Sequence, residues 1–134
     1  MIKNRKSLNK GKHFSKVKKY SKKAIVYIHP TPNNTIITLT ETNGNTLLWT
    51  STGHYGYKNT KKKSKYGAQQ AAKQLGRKAL KTGIKNVRVV TRGKGPGRIT
   101  AIRGINASGL FINALEDSTP LPHNGCRPTK RRRL

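Results

Sequence analysis

Acidic side chains are nearly missing from this 134-residue chain, in which Glu41, Glu116 and Asp117 stand against 30 lysines and arginines. Nucleases that hold two metal ions need a cluster of carboxylates. Glu41 is predicted in a hairpin, while Glu116 and Asp117 are adjacent at the end of a predicted strand. These three residues cannot form such a cluster, which argues against an enzyme of this type.

Metal ligands and nucleophiles are equally sparse. His13, His29, His54 and His123 have no ligand spacing, and His123 with Cys126 makes at most half of a metal site. We therefore predict no catalytic residue, no bound metal and no cofactor.

Cysteine and long apolar runs are also lacking. Cys126 is the only cysteine, which excludes an internal disulfide and argues against a secreted, disulfide-stapled fold. No apolar run approaches the roughly 18 residues that span a membrane. Residues 1–23 contain nine lysines and one arginine but no apolar stretch. We expect neither a membrane segment nor a signal peptide, and the lysine-rich composition speaks against a cleaved presequence.

Positive charge is what the chain has in excess, with a formal net charge of +27 at pH 7. Acidic proteins and membrane surfaces accept some positive charge. A charge this high and this evenly spread points instead to nucleic acid, whose charges are dense and regular. Apolar residues concentrate in the centre of the chain. We therefore predict a basic arm at 1–23, a nucleic-acid-binding α/β domain at 24–117 and a basic tail at 118–134.

Hydrophobic periodicity and turn signals predict seven elements in the order β-β-β-α-β-α-β. Asn43-Gly44 is a hairpin signal, and the alanines of the first helix recur at helical spacing. The strands are predicted at 24–29, 35–40, 46–50, 86–91 and 110–115, and the helices at 66–82 and 98–108. Helical crossovers require the later strands to be parallel. The sequence thus predicts a mixed five-stranded sheet flanked by helices, with both faces covered.

Aromatic residues make up only 6% of the chain. We expect Trp49 in the core rather than as a platform for stacking bases. Tyr55 and Tyr57, in a glycine- and lysine-rich loop, are open between stacking on bases and packing. No aromatic pair typical of a sequence-reading sheet is visible, so binding should depend on phosphates and RNA shape.

Several motifs resemble one family. They are residues 30–40 (PTPNNTIITLT), Gly44-Asn45 followed by Trp49, Ala71-Ala72, 93–98 (GKGPGR), 101–103 (AIR) and 122–128 (PHNGCRP). On these residues the chain resembles the universal family of small-subunit ribosomal protein eleven, over residues 24–134. Ile99 and Thr129 depart from the pattern, where the family commonly has an acidic or amide residue and a second proline.

The resemblance implies a mixed five-stranded sheet with flanking helices and binding to ribosomal RNA on the platform of the small subunit. That position is near the 3′ end of the subunit RNA and the path by which messenger RNA leaves. The implied partners are small-subunit ribosomal RNA and neighbouring platform proteins, with messenger RNA nearby, no membrane and no small-molecule substrate. We expect a structural constituent of the small subunit that supports translation. The alternative, suggested by charge alone, is a histone-like protein that compacts nucleic acid.

Glycine-rich and basic segments supply the candidate RNA-binding residues. The loop from Arg92 to Arg98 lacks a nucleotide-binding pattern, and tight turns account for part of its glycines. It nevertheless carries cations and ends at a helix N-terminus, whose N–H groups suit a phosphate. The tail from His123 has almost nothing apolar to bury, so it becomes ordered only where a polyanion neutralises it. The candidates are Lys58, Lys61, Lys62, Lys63, Arg92, Lys94, Gly95, Gly97, Arg98, Arg103, His123, Asn124, Arg127, Lys130, Arg131, Arg132 and Arg133.

Residue bias suggests the compartment. The chain is rich in lysine, asparagine and isoleucine, which is typical of an AT-rich coding genome. Together with the lysine-rich arm, this bias leads us to expect a mitochondrial ribosome and a protein encoded by the organelle. The cytoplasm of an AT-rich bacterium is the alternative.

Overall fold

The computed structural model describes residues 22–130, and most of the basic arm and Arg131, Arg132 and Arg133 of the tail lie outside the described residues. The elements confirm the predicted order, although α2 ends two residues earlier and β5 two residues later than expected. They are β1 (Lys23–Pro30), β2 (Thr35–Thr40), β3 (Thr46–Ser51), a short 3-10 helix (Asn59–Lys63), α1 (Lys65–Lys81), β4 (Asn86–Thr91), α2 (Arg98–Asn106) and β5 (Phe111–Asp117).

The five strands form one mixed sheet in the order β3-β2-β1-β4-β5. β1, β2 and β3 pair antiparallel. Gly44, with a φ of 91°, lies in the turn before β3, as the Asn-Gly signal predicts. β4 pairs parallel with β1 and β5 parallel with β4, because each of these two strands is reached through a helix. The predicted mixed sheet is therefore confirmed.

Both helices pack on the same face of the sheet. α1 contacts α2, β2 and β3, and α2 contacts β1. Val26 and Ile28 of β1 and Leu75 of α1 belong to the core that these contacts enclose. The two helices approach closely, since a Cβ at Gly104 would lie 2.5 Å from the Gln69 carbonyl oxygen. This close approach explains why the apolar stripe of α1 consists largely of alanine.

The prediction that both faces of the sheet are covered is wrong. Within residues 22–130 the second face is open, and Trp49, Thr38 and Tyr27 form a cross-strand row on it. The reason lies in the crossovers. β3, β4 and β5 point in the same direction, and both helical connections move across the sheet in the same sense. Right-handed connections then place α1 and α2 on the same side.

The prediction that Trp49 lies in the core is also wrong. Its side chain is 58% exposed on the open face, where its ring centroid lies 4.9 Å from that of His54. Leu48, paired with Leu39, faces the helices instead. Successive side chains of a strand point to opposite faces, so Leu48 and Trp49 cannot both be buried in a sheet with one covered face.

Candidate nucleic-acid interface

One edge of the sheet brings together most of the predicted RNA-binding segments. β1, β3, β4 and β5 run in the same direction, so their carboxyl ends lie at one edge with the amino end of β2. Lysine-rich segment 52–64, loop 92–97 and the tail all leave the sheet there. α1 and α2 begin beyond the same edge, and the positive ends of their dipoles add to its charge. We call the set Lys58, Lys61, Lys63, Arg92 and Lys94 the cationic edge.

Loop 92–97 packs tightly against the turn between β1 and β2. A Cβ at Gly95 would lie 2.5 Å from the Thr31 carbonyl oxygen, and a Cβ at Gly97 would lie 2.1 Å from Oγ1 of Thr35. Gly95 and Gly97 are buried, so neither offers a surface to RNA. Their place in the interface is indirect, because only glycine permits the loop to approach this closely.

The loop presents two cationic side chains to solvent. Arg92 and Lys94 are both exposed. The N–H of Arg92 donates to the Ile28 carbonyl oxygen over 2.9 Å, and the N–H of Gly95 donates to the Pro30 carbonyl oxygen over 3.1 Å. Because this backbone is ordered before any ligand arrives, binding a phosphate costs the loop little conformational entropy.

Asp117 connects this loop to the start of the tail. Nη2 of Arg98 donates to Oδ2 of Asp117 over 2.6 Å. Oδ1 accepts the Thr119 hydroxyl over 2.6 Å and the Thr119 N–H over 3.1 Å. The Thr119 hydroxyl oxygen in turn accepts the Gly93 N–H over 3.0 Å. The hydrogen bonds from Thr119, followed by that from Arg98, lower the pKa of Asp117 to about 2. Arg98 therefore holds the Asp117 carboxylate, which positions the start of the tail against the loop.

The lysine-rich segment supplies the other half of the cationic edge. The 3-10 helix has Lys61, Lys62 and Lys63 in its last turn. The Thr52 hydroxyl donates to the Lys62 carbonyl oxygen over 2.8 Å, which fixes the segment to the end of β3. Lys62 is half-buried, while Lys58, Lys61 and Lys63 are exposed. Three lysines of the segment are therefore exposed, and Lys63 lines a small cavity together with Asn33 of the turn between β1 and β2.

The two tyrosines of this segment, Tyr55 and Tyr57, differ in packing and exposure. Their rings are stacked, with centroids 5.8 Å apart and an interplanar angle of 15°. Tyr57 packs against α1, where a Cβ at Gly67 would lie 3.1 Å from its ring, and burial raises its pKa. Tyr55 is the more exposed of the pair, so it is the one available to a base.

The remaining candidates lie apart from the cationic edge. Arg103 is exposed in the last turn of α2, away from the edge at which that helix begins. From residue 118 to 130 the tail has neither helix nor strand, and its candidates are exposed. The described tail candidates are His123, Asn124, Arg127 and Lys130.

Sequence reasoning missed three residues of this region. Asp117 and Thr119 form an Asp-x-Thr pattern, in which the aspartate side chain commonly accepts the backbone N–H two residues later. This pattern could have predicted the contact between them. His29 is the third, with Nδ1 lying 2.8 Å from the Arg92 carbonyl oxygen. Val26 and Ile28 alternate with more exposed residues along β1. This alternation was enough to place His29 on the face opposite to Val26 and Ile28.

Metal clusters and membrane-spanning helices are both lacking in the described part of the chain. Across residues 22–130, no three histidine, cysteine, aspartate or glutamate side chains lie together as a metal ion would require. Over the same range, no helix is both long and apolar enough to cross a membrane.

Known ribosomal proteins match this chain over most of its length. The family model for ribosomal protein S11 matches residues 24–133. A small ribosomal subunit protein uS11 from Vesicomyosocius okutanii is 49% identical over 124 residues, which cover 90% of this chain and 97% of that relative. The proteins of the same name from Burkholderia cenocepacia and Burkholderia mallei are 47% identical over 119 residues, or 89% of this chain and 90% of each relative.

These matches place this chain among the ribosomal proteins. The chain belongs to the ribosomal protein S11 family, which confirms the resemblance noted from its motifs. As a member of that family it is a structural constituent of the ribosome and not an enzyme.

Proposed function

We propose that this protein is a component of the small ribosomal subunit and binds the subunit's RNA through the cationic edge and the basic tail. The observation that carries the proposal is the convergence of Lys58, Lys61 and Lys63 with Arg92 and Lys94 at one edge of the sheet, although they come from separate segments. Phosphate groups are the ligands that such a surface recognises, since each charge-assisted contact releases counterions from the RNA.

The loop and the tail contribute differently to this binding. The loop is ordered beforehand, so its cations bind phosphate at little entropic cost. The tail loses roughly 1–2 kcal/mol of backbone entropy for each residue that becomes ordered. Many simultaneous contacts from Arg127, Lys130 and the three arginines that follow offset this loss. Pro122 and Pro128 reduce it, because they restrict the free chain.

The proposed position is the platform of the small subunit, near the 3′ end of its RNA and the path of messenger RNA. Neighbouring platform proteins are the proposed protein partners. The support for this position is the family resemblance of residues 93–98 and 122–128.

The proposed compartment is a mitochondrial ribosome, with the protein encoded by the organelle. The support is the lysine-, asparagine- and isoleucine-rich composition and the lysine-rich arm. The relatives named above are bacterial, which supports a bacterial-type ribosome in either compartment. Cell fractionation followed by mass spectrometry of purified ribosomes decides the compartment. Recovery only from cytoplasmic bacterial ribosomes contradicts the organellar assignment.

Co-sedimentation in moderate salt tests the proposed function. We expect the full chain to migrate with small ribosomal subunits on a sucrose gradient and to remain there after treatment with deoxyribonuclease. Migration with nucleoid DNA, and loss of that migration after the same treatment, would instead identify a histone-like protein.

A further inference from the structure

A groove of about 700 Å³ lies on the open face of the sheet, beside loop 92–97. Its volume is within the range of roughly 300–1,000 Å³ found for small-ligand sites. Strands β1 and β4 form its floor, and the loop and the first residues of the tail form its walls. The lining residues are Tyr27, Ile28, His29, Val90, Arg92, Gly93, Lys94, Thr119 and Pro120.

The floor of the groove offers an aromatic surface. Tyr27 is paired with Val90 across β1 and β4, and 43% of Tyr27 is exposed. An exposed tyrosine ring on an open sheet is a surface on which an unpaired base stacks, because every base has an apolar π-face. Double-stranded RNA keeps its bases stacked on each other and cannot use such a surface.

His29 is the next aromatic ring on this face of β1, and a hydrogen bond fixes which of its nitrogens carries a hydrogen. Nδ1 of His29 lies 2.8 Å from the Arg92 carbonyl oxygen, and a carbonyl oxygen can only accept, so Nδ1 carries the hydrogen. In the neutral ring Nε2 is then an acceptor. A ribose 2′-hydroxyl is the donor that such an acceptor binds, and it is present in RNA and absent from DNA.

The charges around the groove favour a polyanion. Arg92 and Lys94 belong to its wall. Glu116 is paired in the sheet with Val90 of the floor and forms an ion pair with Arg88. Asp117 is bound to Arg98. With these two acids paired to arginines, Arg92 and Lys94 determine the sign of the local charge.

We propose that this groove binds one unpaired nucleotide of RNA, with the base on Tyr27, the ribose at His29 and a phosphate at Arg92 and Lys94. The proposal rests on the proposed function, since it names the class of nucleotide that the RNA presents to the open face. Glu116 and Asp117 are paired with other arginines, so Arg92 and Lys94 need a negative charge from the ligand. A protein segment without acidic side chains is therefore disfavoured. Thr119 and Pro120 close one wall, so the network around Asp117 also shapes this site.

Binding of two short RNA probes tests the base contact. The probes are a single-stranded oligoadenylate and a blunt RNA duplex, and their affinities for the full-length protein are measured by fluorescence anisotropy. We expect Tyr27→Leu to weaken single-strand binding by about fivefold to a hundredfold, which corresponds to the loss of one stacked base. Duplex binding should be unchanged, because it depends on phosphates alone. Tyr27→Phe keeps the ring and should bind both probes as the intact protein does.

Phe111→Leu is the matched control. Phe111 is also exposed, but it lies at the start of β5, at the end of the sheet opposite the groove, so its loss should change neither affinity. Equal single-strand binding by Tyr27→Leu and the intact protein overturns the groove proposal. If Tyr27→Leu binds both probes normally yet fails to enter the subunit, the groove holds a protein, which overturns the proposal as well.

The proposed function is tested separately by the same proteins. Failure of the intact protein to co-sediment with small subunits contradicts the proposed function, whatever Tyr27→Leu does with the probes. Normal co-sedimentation together with unchanged single-strand binding by Tyr27→Leu contradicts only the groove.

A histidine variant tests the ribose contact. In His29→Asn the amide N–H group replaces Nδ1 as donor to the Arg92 carbonyl oxygen, while the acceptor at the Nε2 position is lost. We expect the intact protein to prefer single-stranded RNA over DNA of the same sequence, and His29→Asn to reduce that preference by about twofold to tenfold. An unchanged preference contradicts the role of His29.

Discussion

The Arg98 guanidinium, at the start of α2, donates to the Asp117 carboxylate at the end of β5 over 2.6 Å. The same carboxylate accepts the hydroxyl of Thr119 over 2.6 Å. The helix that follows the loop and the segment that begins the tail therefore share one anion. This relationship couples the loop and the tail at their bases, while the proposed RNA contacts lie on other side chains.

Replacing Asp117 with asparagine tests that coupling. Hydrogen bonds from Thr119 and Arg98 depress the pKa of Asp117 from 3.8 to about 2. A depressed pKa contributes stability that is present above about pH 4 and is lost as the pH falls toward about pH 2. We expect Asp117→Asn to be less stable than the intact protein in urea at neutral pH, and the difference to disappear in this acidic window.

Glu41→Gln is the control for Asp117→Asn. It removes the same charge from the turn after β2, where Glu41 accepts a hydrogen bond of 3.3 Å from Asn45. At neutral pH it should cost less stability than Asp117→Asn, because the Glu41 carboxylate lies outside the network of Arg98 and Thr119. A difference between Asp117→Asn and the intact protein that persists at about pH 2 would contradict the linkage to the Asp117 carboxylate.

Gly95→Ala tests whether the loop needs its close approach to the turn after β1. The added Cβ would lie 2.5 Å from the Thr31 carbonyl oxygen, which is backbone and cannot move aside easily. We expect a loss of about 1–3 kcal/mol in the free energy of unfolding, measured by urea denaturation. In Gly53→Ala the nearest atom is Cδ of the flexible Lys62 side chain, so this control should lose less than about 0.5 kcal/mol. Equal stability of the two variants contradicts the packing role of Gly95.

Local patterns were sufficient to predict the elements of this fold. Val26 and Ile28 alternate with less buried neighbours in β1, and Asn43-Gly44 predicts the turn between β2 and β3. Each signal depends on residues within a few positions of one another. The family motifs at 93–98 and 122–128 are equally local, and they predicted the family correctly.

Relationships between distant residues could not be predicted in this way. Gly93 and Thr119 are 26 residues apart, and Arg98 and Asp117 are 19 apart, so no local period encodes either contact. The face on which each helix lies depends on the strand order and on the direction of its crossover in the sheet. The open face, and the exposure of Trp49 on it, follow from that direction.

We predict spontaneous modification at Asn124-Gly125. Asn124 is exposed and has a left-handed φ of 52°. Gly125 has no side chain, so its own backbone nitrogen is unhindered. The Gly125 nitrogen attacks the side-chain carbonyl carbon of Asn124, ammonia leaves, and water opens the resulting succinimide largely to isoaspartate. We expect peptide mapping of aged protein to show partial isoaspartate at Asn124.

Asn43-Gly44 is the internal control for this reaction. The Gly44 N–H donates to the Glu41 carbonyl oxygen over 3.0 Å, which restrains the attacking nitrogen, so Asn43 should convert more slowly than Asn124. Aged protein with only unmodified asparagine at position 124 would contradict the prediction.

Salt dependence tests the contribution of phosphates. Binding that neutralises about six to ten phosphates should weaken by roughly a thousandfold or more between about 50 and about 200 mM salt. Replacing both Arg92 and Lys94 with alanine should reduce the slope of log affinity against log salt by about 2. Arg77 and Lys78, exposed far along α1 from the cationic edge, form the matched control pair. A nearly flat dependence for the intact protein would mean that apolar contacts dominate.

Incorporation of a truncated protein tests the central claim most directly. Truncation after Pro122 leaves β5 and the network of Asp117 and Thr119 in place, so thermal unfolding should show a folded domain. The truncated protein loses every tail cation from Arg127 onward. In reconstitution of small subunits in competition with the intact chain, we predict that the folded, truncated protein is not stably incorporated. Incorporation equal to that of the intact chain would contradict the account, because the tail would then be a solvated run of charge with no part in assembly.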